Sequence, residues 1–290
     1  MARTKRNLLE EFAIDYENTK AADDRGQKVR KANQLIQKNR FDMSVTEQRL
    51  LLYCISKIKP KDKADKLYRV KIRDIYRACG IDNANKKAYE AMKEAVKRLD
   101  SFNFYQKDGE LVHWIRDTKV DPKDDHGYIS FRFDPRIAQY LFNVRRYFTE
   151  YQLGNALRMR SVYSIRLYEL MKSYGNLKGK SFTLDELAYL LGADIRTEKV
   201  RIKREDGQET IVYITKDNKS YKQYRNLKQK VIDPAIKEIN EGTDILLSYE
   251  EIKTGRKVTG IRFEIEDISG DRMVQEYSYI KSRRNNPESF

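Results

Sequence analysis

Cysteine and histidine are scarce in this sequence, and their scarcity excludes several kinds of protein. Only two residues of each type occur among 290. Cys54 and Cys79 stand among apolar or helical neighbours, so we expect reduced core thiols in a cytoplasmic protein and no disulfide framework. His113 and His126 lie in strand and loop sequence without a cluster of carboxylates, so neither predicts a metal site. No cofactor is expected.

Long apolar runs and phosphate-binding loops are also missing. The longest apolar run, residues 50–55, is far shorter than the roughly 20 apolar residues that a membrane span requires, so no membrane partner is expected. The absence of a GxxxxGK[ST] motif argues against an ATP-driven helicase. Twenty tyrosines invite comparison with rolling-circle enzymes that nick DNA, but that chemistry needs a metal held by closely spaced histidines. We therefore expect binding without catalysis.

Positive charge, by contrast, is abundant. Lysine and arginine number 59 against 44 acidic residues, which gives a net charge of +15 and a pI near 9.5. Such an excess favours a polyanionic partner. Residues 196–230 alone hold eleven basic residues against five acids, so the strongest candidate interface lies in the second half of the chain.

An internal repeat organises the sequence. Each half begins with an amphipathic helix, continues with a short alternating strand that runs into a short helix, and then has a longer helix. These patterns occupy residues 45–58, 67–81 and 84–101 in the first half, and 161–175, 181–194 and 220–240 in the second. Strand-patterned sequence follows each triplet of helices, with turns expected at 107–110 and around Gly255.

Three helices followed by a hairpin, occurring twice, predict an α+β fold of two tandem winged-helix domains related by the repeat. We expect the first domain at 28–146 and the second at 147–268. Residues 1–27 and 269–290 are polar and charged with few apolar anchors, and are therefore expected to form flexible tails.

The longer helix of the second half has two different faces. Leu227, Val231, Ala235 and Ile239 gather on one side at 100° per residue and predict a core face. Pro234 should bend the helix where its basic part ends. The opposite side carries the side chains that we expect to contact DNA bases and phosphates, namely Lys222, Arg225, Asn226, Gln229 and Lys230.

Further basic residues could extend this interface or could simply form a solvated surface. Arg158 and Arg160, with Ser161 as a helix N-cap, are expected at the start of a helix, and Lys253, Arg256 and Lys257 at the hairpin tip. In the first domain, Lys86, Lys87 and Lys93 are mixed with acidic residues on their predicted helix. That mixture favours an ordinary surface or a protein interface, with DNA contact as a secondary role.

Four segments carry a resemblance to a known family. They are RKANQLIQKNRFDMSVTEQRLLLYCISKI, GYISFRFDPRIAQYL, RYFTEYQLGNALRMRSVYSIRLYELMKSYG and LKQKVIDPAIKEINEGTDILLSYEEIKTGRKVTGIRFEI. With them, residues 28–268 resemble the initiator replication proteins of iteron-containing bacterial plasmids. The most specific matches are SVYSIRLYELMKSYG and DPAIKEIN.

The resemblance implies a cytoplasmic bacterial protein that binds direct repeats in a plasmid origin, opens the nearby duplex and recruits the host replication initiator and replicative helicase. It also implies a homodimer in exchange with the monomer, in which the dimer represses the protein's own gene through an inverted repeat. The third helix of the second domain would make the principal base contacts, and the first domain would serve dimerisation and further DNA contact.

Two questions stay open at this stage. Residues 196–220 are longer than the usual connection in the family, and their alternating centre, ETIVYIT, predicts an extra hairpin whose role the sequence does not define. A dedicated winged-helix transcriptional repressor would share the fold and the basic helix. Repression without origin activity would distinguish it from an initiator.

Overall fold

The structure, a computed structural model, has the alternating helices and strands that the repeat predicts. It describes residues 26–81, 85–101, 103–105, 111–121, 127–203 and 209–270. The predicted turn at 107–110, His126 and nearly all of both predicted tails lie outside these ranges. No helix in the described ranges is long and apolar enough to cross a membrane.

The first half folds in the predicted order after one strand and one helix that the sequence did not reveal. The elements are β1 (Lys28–Ala32), α1 (Asn33–Lys38), α2 (Val45–Ser56), β2 (Tyr68–Lys71), α3 (Ile72–Ala78), α4 (Lys86–Ser101), β3 (Asn103–Tyr105), β4 (Leu111–His113), β5 (Ile115–Asp121) and β6 (Tyr128–Phe133). Ser44 and Glu47 form a reciprocal capping box at the start of α2, and Gly80, with φ +77°, ends the turn after α3. Strands β2, β6 and β5 form an antiparallel sheet in that order.

A short connection then leads back to the first strand of the chain. It contains α5 (Pro135–Ala138), β7 (Phe148–Gln152) and α6 (Leu153–Arg158). Strand β7 pairs antiparallel with β1, in a register that places Lys28 opposite Gln152. The strand that follows the predicted domain boundary therefore pairs with the first described strand of the chain.

The second half repeats the winged-helix order and contains the predicted extra hairpin. The elements are α7 (Val162–Ser173), β8 (Gly179–Thr183), α8 (Leu184–Leu191), β9 (Ile195–Lys203), β10 (Glu209–Asp217), a 3₁₀ turn (Lys219–Lys222), α9, β11 (Ile245–Thr254) and β12 (Lys257–Asp267). Helix α9 consists of three consecutive segments, α-helical Tyr224–Leu227, π-helical Lys228–Ile232 and α-helical Asp233–Gly242. Strands β11, β12 and β8 form an antiparallel sheet in that order.

The start of α9 differs from the prediction. We expected one helix over 220–240, but Gln223 is extended (φ −84°, ψ 118°) and the helix begins at Tyr224. Tyr221 instead packs edge-on against Tyr163, with ring centroids 6.1 Å apart. The expected perturbation before Pro234 is present as the π-helical turn, in which the amide of Asp233 donates to the carbonyl of Lys228.

A buried ionic cluster connects β1 to α7. Lys31 and Arg166 both pair with Glu169, and the hydroxyl of Tyr151 donates to the same carboxylate. The side chains of Lys31, Arg166 and Glu169 are each no more than 3% exposed. Burial alone would raise the pKa of Glu169, but the two adjacent cations hold that pKa below its ordinary value.

The guanidinium of Arg166 also links separate parts of the backbone. Its Nη2 donates to the carbonyl oxygens of Ile36 (3.2 Å) and Asn39 (3.1 Å) at the end of α1, and to that of Leu190 (3.2 Å) near the end of α8. Gly192 ends α8 with φ +70°, and a Cβ there would lie 2.8 Å from the carbonyl oxygen of Phe41. Both features bring the segment after β1 against the second domain.

We predict that Glu169→Gln strongly destabilises the protein, because it leaves two buried cations without their anion. Removal of one partner from a buried ion pair typically costs about 3 to 5 kcal/mol. The free energy of unfolding, measured by urea denaturation at neutral pH, should fall accordingly. The matched control is Glu186→Gln on the exposed first turn of α8, for which a change within about 0.5 kcal/mol is expected. Equal losses in the two variants would contradict the prediction.

Candidate nucleic-acid interface

Helix α9 buries the face that the sequence predicted. Leu227, Val231, Ala235 and Ile239 are all no more than 1% exposed, and they pack with the helix onto α7. Because this face is fixed in the core, the opposite side of the first turns must face away from the domain. The burial pattern therefore confirms the division of the helix into an apolar and a polar side.

The polar side presents long side chains that point into solvent. Lys222, Arg225, Gln229 and Lys230 are all exposed. Within the described ranges, none of their side chains makes a hydrogen bond or an ion pair. Lys222 lies in the 3₁₀ turn and not in the helix as expected, so it approaches the same surface from just before the helix. Lys219 in this turn is also exposed, and the sequence had not singled it out.

Asn226 has a structural contact in addition to its expected DNA contact. Its Nδ2 donates to the carbonyl oxygen of Ser220 (3.0 Å) and to Oε1 of Gln223 (3.3 Å). The side-chain amide therefore closes the junction between the 3₁₀ turn and the helix. Because Nδ2 is occupied in this arrangement, a base contact by Asn226 would use its Oδ1.

The residues expected at the start of a helix are distributed over two helices. Arg158 ends α6, and Arg160 lies in the connection before α7. The expectation differed because α6 was not recognised in the sequence. Ser161 is the N-cap of α7, as predicted, and its Oγ accepts from the amide of Tyr163 at 3.2 Å. Both arginine side chains are exposed.

The carboxylate of Glu238 fixes this connection to α9. Oε2 of Glu238 accepts from the backbone amides of Arg160 (3.1 Å) and Ser161 (3.3 Å). The start of α7 and the later part of α9 are thus held together through the backbone. As a result, the exposed side chains near residue 160 keep a defined position relative to α9.

The hairpin of β11 and β12 forms the wing. Its tip turns at Gly255, with φ +61°, a conformation that glycine adopts readily. Arg256 and Lys257 are exposed and pair with no residue in the described part of the chain. Lys253 lies 3.4 Å from Glu251 and is therefore partly neutralised.

Glu251 anchors the wing to the helix. It accepts from the hydroxyl of Tyr224 (2.7 Å) and from Nζ of Lys228 (3.0 Å), both on α9. The Tyr224 hydrogen bond, followed by that of Lys228, lowers the pKa of Glu251 to about 2. Tyr224 and Lys228 have helical i, i+4 spacing, but their shared partner lies on a strand more than 20 residues away, which the sequence did not indicate.

The first domain has a weaker candidate surface on α4. Lys86 and Lys87 are exposed at its start. Lys93 pairs with Glu90 at 2.9 Å, as the mixed charges suggested. Lys97, near the end of the helix, is also exposed, so only Lys86 and Lys87 lie at the part that enters the groove in helix-turn-helix proteins.

Strands β9 and β10 form the predicted extra hairpin between the second and third helices of the second domain. They pair antiparallel from Ile195 opposite Asp217 to Lys203 opposite Glu209. Arg201 and Lys203 are exposed on β9, whereas Lys216 pairs with Glu198. One residue, Asn218, separates the hairpin from the 3₁₀ turn that precedes α9.

The remaining titratable residues form no obvious reactive centre. In the described ranges, no group of three or more histidine, cysteine or acidic residues could hold a metal ion. Nδ1 of His113 donates to the carbonyl oxygen of Asp100 at 2.5 Å. Cys54 is buried, and burial raises the pKa of Cys79 to about 11.

Two three-helix units, each completed by antiparallel strands, define a tandem winged-helix protein. Two family models match the chain. The model for the initiator replication protein WH1 domain matches residues 28–172, and the model for the WH2 domain matches residues 213–265. The first match alone covers half of the chain, so the protein belongs to the initiator replication protein family. This confirms the resemblance to the initiators of iteron-containing plasmids and the α+β fold.

Individual relatives are more distant. The PI protein of Escherichia coli is 28% identical over 172 residues, which are 56% of this chain and 51% of that protein; the match thus spans about half the length of this relative. An uncharacterized 27.6 kDa protein of Escherichia coli is 23% identical over 246 residues, 79% of this chain and 91% of the relative. The crystal structure of Pi initiator protein in complex with iteron DNA has a TM-score of 0.63 and 22% identity, and the similarity covers 83% of this chain and 97% of that one.

We predict that the pKa of Glu251 reports the attachment of the wing. Because its folded-state pKa of about 2 lies below the ordinary value of 4.5, the attachment contributes stability above about pH 4.5, and that contribution is lost as the pH falls towards 2. Lys228→Ala should raise the pKa of Glu251, which carboxyl NMR titration measures. The control is Lys257→Ala, on the same hairpin but without a contact to Glu251, and should leave it unchanged. An unaltered pKa in Lys228→Ala would contradict the attachment.

Proposed function

We propose that this protein is a plasmid replication initiator that binds repeated duplex sites, the iterons, in the origin of its plasmid. The observation that carries the proposal is the polar surface at the start of α9 and in the turn before it, where Lys222, Arg225, Gln229 and Lys230 are exposed and have no side-chain partner among the described residues. Long donors on the third helix of a winged helix suit base edges and phosphates in the major groove. The related fold of the Pi initiator protein in complex with iteron DNA supports this choice of partner.

The surroundings of α9 supply the proposed phosphate contacts. Arg158 and Arg160 on one side, and Arg256 and Lys257 on the wing tip, are exposed beside the helix. Lys253 joins them if DNA competes with Glu251 for its ammonium, which lies 3.4 Å from that carboxylate. Such contacts position a protein on the duplex without reading its sequence. Ser161 and Asn226 act in the proposal by holding the connection before α7 and the start of α9 in place.

The two halves have different proposed tasks. Residues 147–268 would form the principal DNA-reading domain. Residues 28–146 would serve dimerisation and secondary DNA contact, the latter through Lys86, Lys87 and the partly neutralised Lys93. The proposed boundary does not separate the halves completely, because β7 of the second half pairs with β1 of the first.

The finer steps follow from family membership. Monomers bound at adjacent direct repeats would open the neighbouring duplex and recruit the host replication initiator and the replicative helicase. Dimers in exchange with these monomers would repress the protein's own gene at an inverted repeat. All of these steps use binding energy and no catalysis by this chain, and they take place in the bacterial cytoplasm, where plasmid DNA resides.

We predict that Arg225→Ala weakens binding to the origin repeat by about 1 to 3 kcal/mol, because a base-contacting arginine is removed. Gel-shift titrations on the repeat and on a scrambled duplex measure the loss. Lys237→Ala, on the exposed later part of the same helix, is the matched control and should bind nearly as wild type. Lys222→Ala should also lower the slope of log affinity against log salt by about one. An equal loss on both duplexes would make Arg225 a phosphate contact, and no salt dependence would contradict DNA binding itself.

We further predict that the gene together with its flanking DNA supports replication of a test plasmid. A double variant, Lys222→Ala with Arg225→Ala, should abolish both replication and repression of a reporter driven by the gene's own promoter. The control variant Lys237→Ala should retain both activities. Repression without replication by the wild-type protein would favour the dedicated transcriptional repressor.

A further inference from the structure

The extra hairpin contacts the third helix of the first domain. On β10, the hydroxyl of Tyr213 donates to the carboxylate of Glu94 on α4. The guanidinium of Arg98, one turn further along α4, stacks on the ring of Tyr213 with 4.0 Å between Cζ and the ring centroid. A single tyrosine of the insertion is therefore held through its hydroxyl and through its ring.

Asp42 provides a second attachment for the same face of the hairpin. Its carboxylate accepts from Oγ1 of Thr215 on β10 at 3.0 Å and from the hydroxyl of Thr197 on β9. Thr197 and Thr215 are paired across the strands, and Tyr213 lies two residues before Thr215 on β10, so these three side chains point to one face of the hairpin. That face lies against the first domain.

Arg98 connects the two attachments. Its Nη2 donates to the carbonyl oxygen of Asp42 at 3.3 Å, and its Nε lies 3.3 Å from Glu47 on α2. The side chain is only 9% exposed. A guanidinium held by a hydrogen bond and a buried ion pair has little rotational freedom, so the platform beneath Tyr213 is rigid.

The base of the hairpin is fixed next to the 3₁₀ turn that precedes α9. The amide of Asn218 donates to the carbonyl oxygen of Asp194 at 2.7 Å and closes the base of the hairpin. Arg40 of the first half pairs with the Asp194 carboxylate at 2.8 Å. The 3₁₀ turn begins immediately after Asn218, and its Tyr221 packs against Tyr163 of α7.

We propose that the β9–β10 hairpin is an interdomain clamp that fixes the separation between α4 and the start of α9, with Tyr213 as its positioning residue. Both helices are the third helix of their own winged-helix unit. Two rigidly spaced reading helices fit only DNA sites whose two parts have the matching separation and helical phase, since about 10 base pairs complete one turn. The clamp would then be a determinant of the length of site that the protein accepts. This consequence rests on the proposed function, whereas the clamp itself does not.

The first test measures the clamp without DNA. Spin labels carried by unnatural amino acids at the exposed positions Glu90 on α4 and Lys237 on α9 report the distance between the two helices in the full chain. Tyr213→Ala should broaden the distance distribution, and Tyr213→Phe, which keeps the ring but loses the donor to Glu94, should broaden it less. Ile214→Ala is the matched control, because Ile214 is the next residue on β10, points to the opposite face and is 41% exposed. An unchanged distribution in Tyr213→Ala would overturn the clamp.

The second test measures whether the clamp determines the length of DNA site that the protein accepts. An insertion of 5 base pairs between the two parts of the bound site turns one part by about half a helical turn. The wild-type protein and Ile214→Ala should lose about 10-fold or more in affinity, because one domain loses its base contacts. Tyr213→Ala should bind the unaltered site more weakly but lose markedly less on insertion, since its domains can adjust.

The outcomes separate the two proposals. If the wild type does not distinguish the repeat from scrambled DNA but Tyr213→Ala broadens the distances, the proposed function fails and the clamp stands. If the wild type binds specifically and Tyr213→Ala loses as much affinity on insertion as Ile214→Ala, the proposed role of the hairpin in setting the length of the site is overturned.

Discussion

The buried carboxylate of Glu169 is the interaction on which the arrangement of this protein depends. Lys31 comes from β1 and Arg166 from α7, and both use the same anion in a buried site. An ion pair at this depth is costly to form and more costly to break, because either partner alone would be a buried, uncompensated charge. Arg166 extends the effect to the ends of α1 and α8 through their carbonyl oxygens. The connection between the halves is thus a specific polar joint that packing of apolar surfaces alone would not define.

From this joint the exposed part of α9 acquires a fixed position. Its apolar side lies on α7, Glu238 holds the backbone before α7, and Glu251 holds the wing. Both carboxylates are used inside the domain, and among the described residues no acidic side chain pairs with Lys222, Arg225 or Lys230. Exposed charges cost little in water, so the fold tolerates this imbalance. The same imbalance is what a polyanion requires, since counterion release on binding provides much of the affinity.

Local sequence predicted the parts of the fold that depend on local patterns. The helical repeat, the core face of α9, the Ser161 cap, the turn at Gly255 and the extra hairpin all follow from periodicity or from residue-specific conformations. The pairing of β1 with β7 joins residues about 120 positions apart and has no local signal. For the same reason Glu251 was missed as the partner of Lys228. The helical projection placed Lys222 in the helix because it assumed that the helix extends to residue 220, whereas the helix begins at Tyr224 and Tyr221 packs on Tyr163.

The position of the insertion explains how it can be long without disturbing the reading helix. In a helix-turn-helix unit the connection between the second and third helices sets their relative orientation. Here the hydrogen bond from Asn218 to Asp194 closes that connection, so the 23 residues between them lie beyond a short backbone bridge. Strands added outside such a bridge do not change the path of α9, and their side chains are free to contact another surface. Because Arg98 lies beneath Tyr213 and is already held by Glu47 and by the backbone of Asp42, the surface that they meet is rigid. A rigid contact at one end and a closed bridge at the other make the hairpin a strut between two helices.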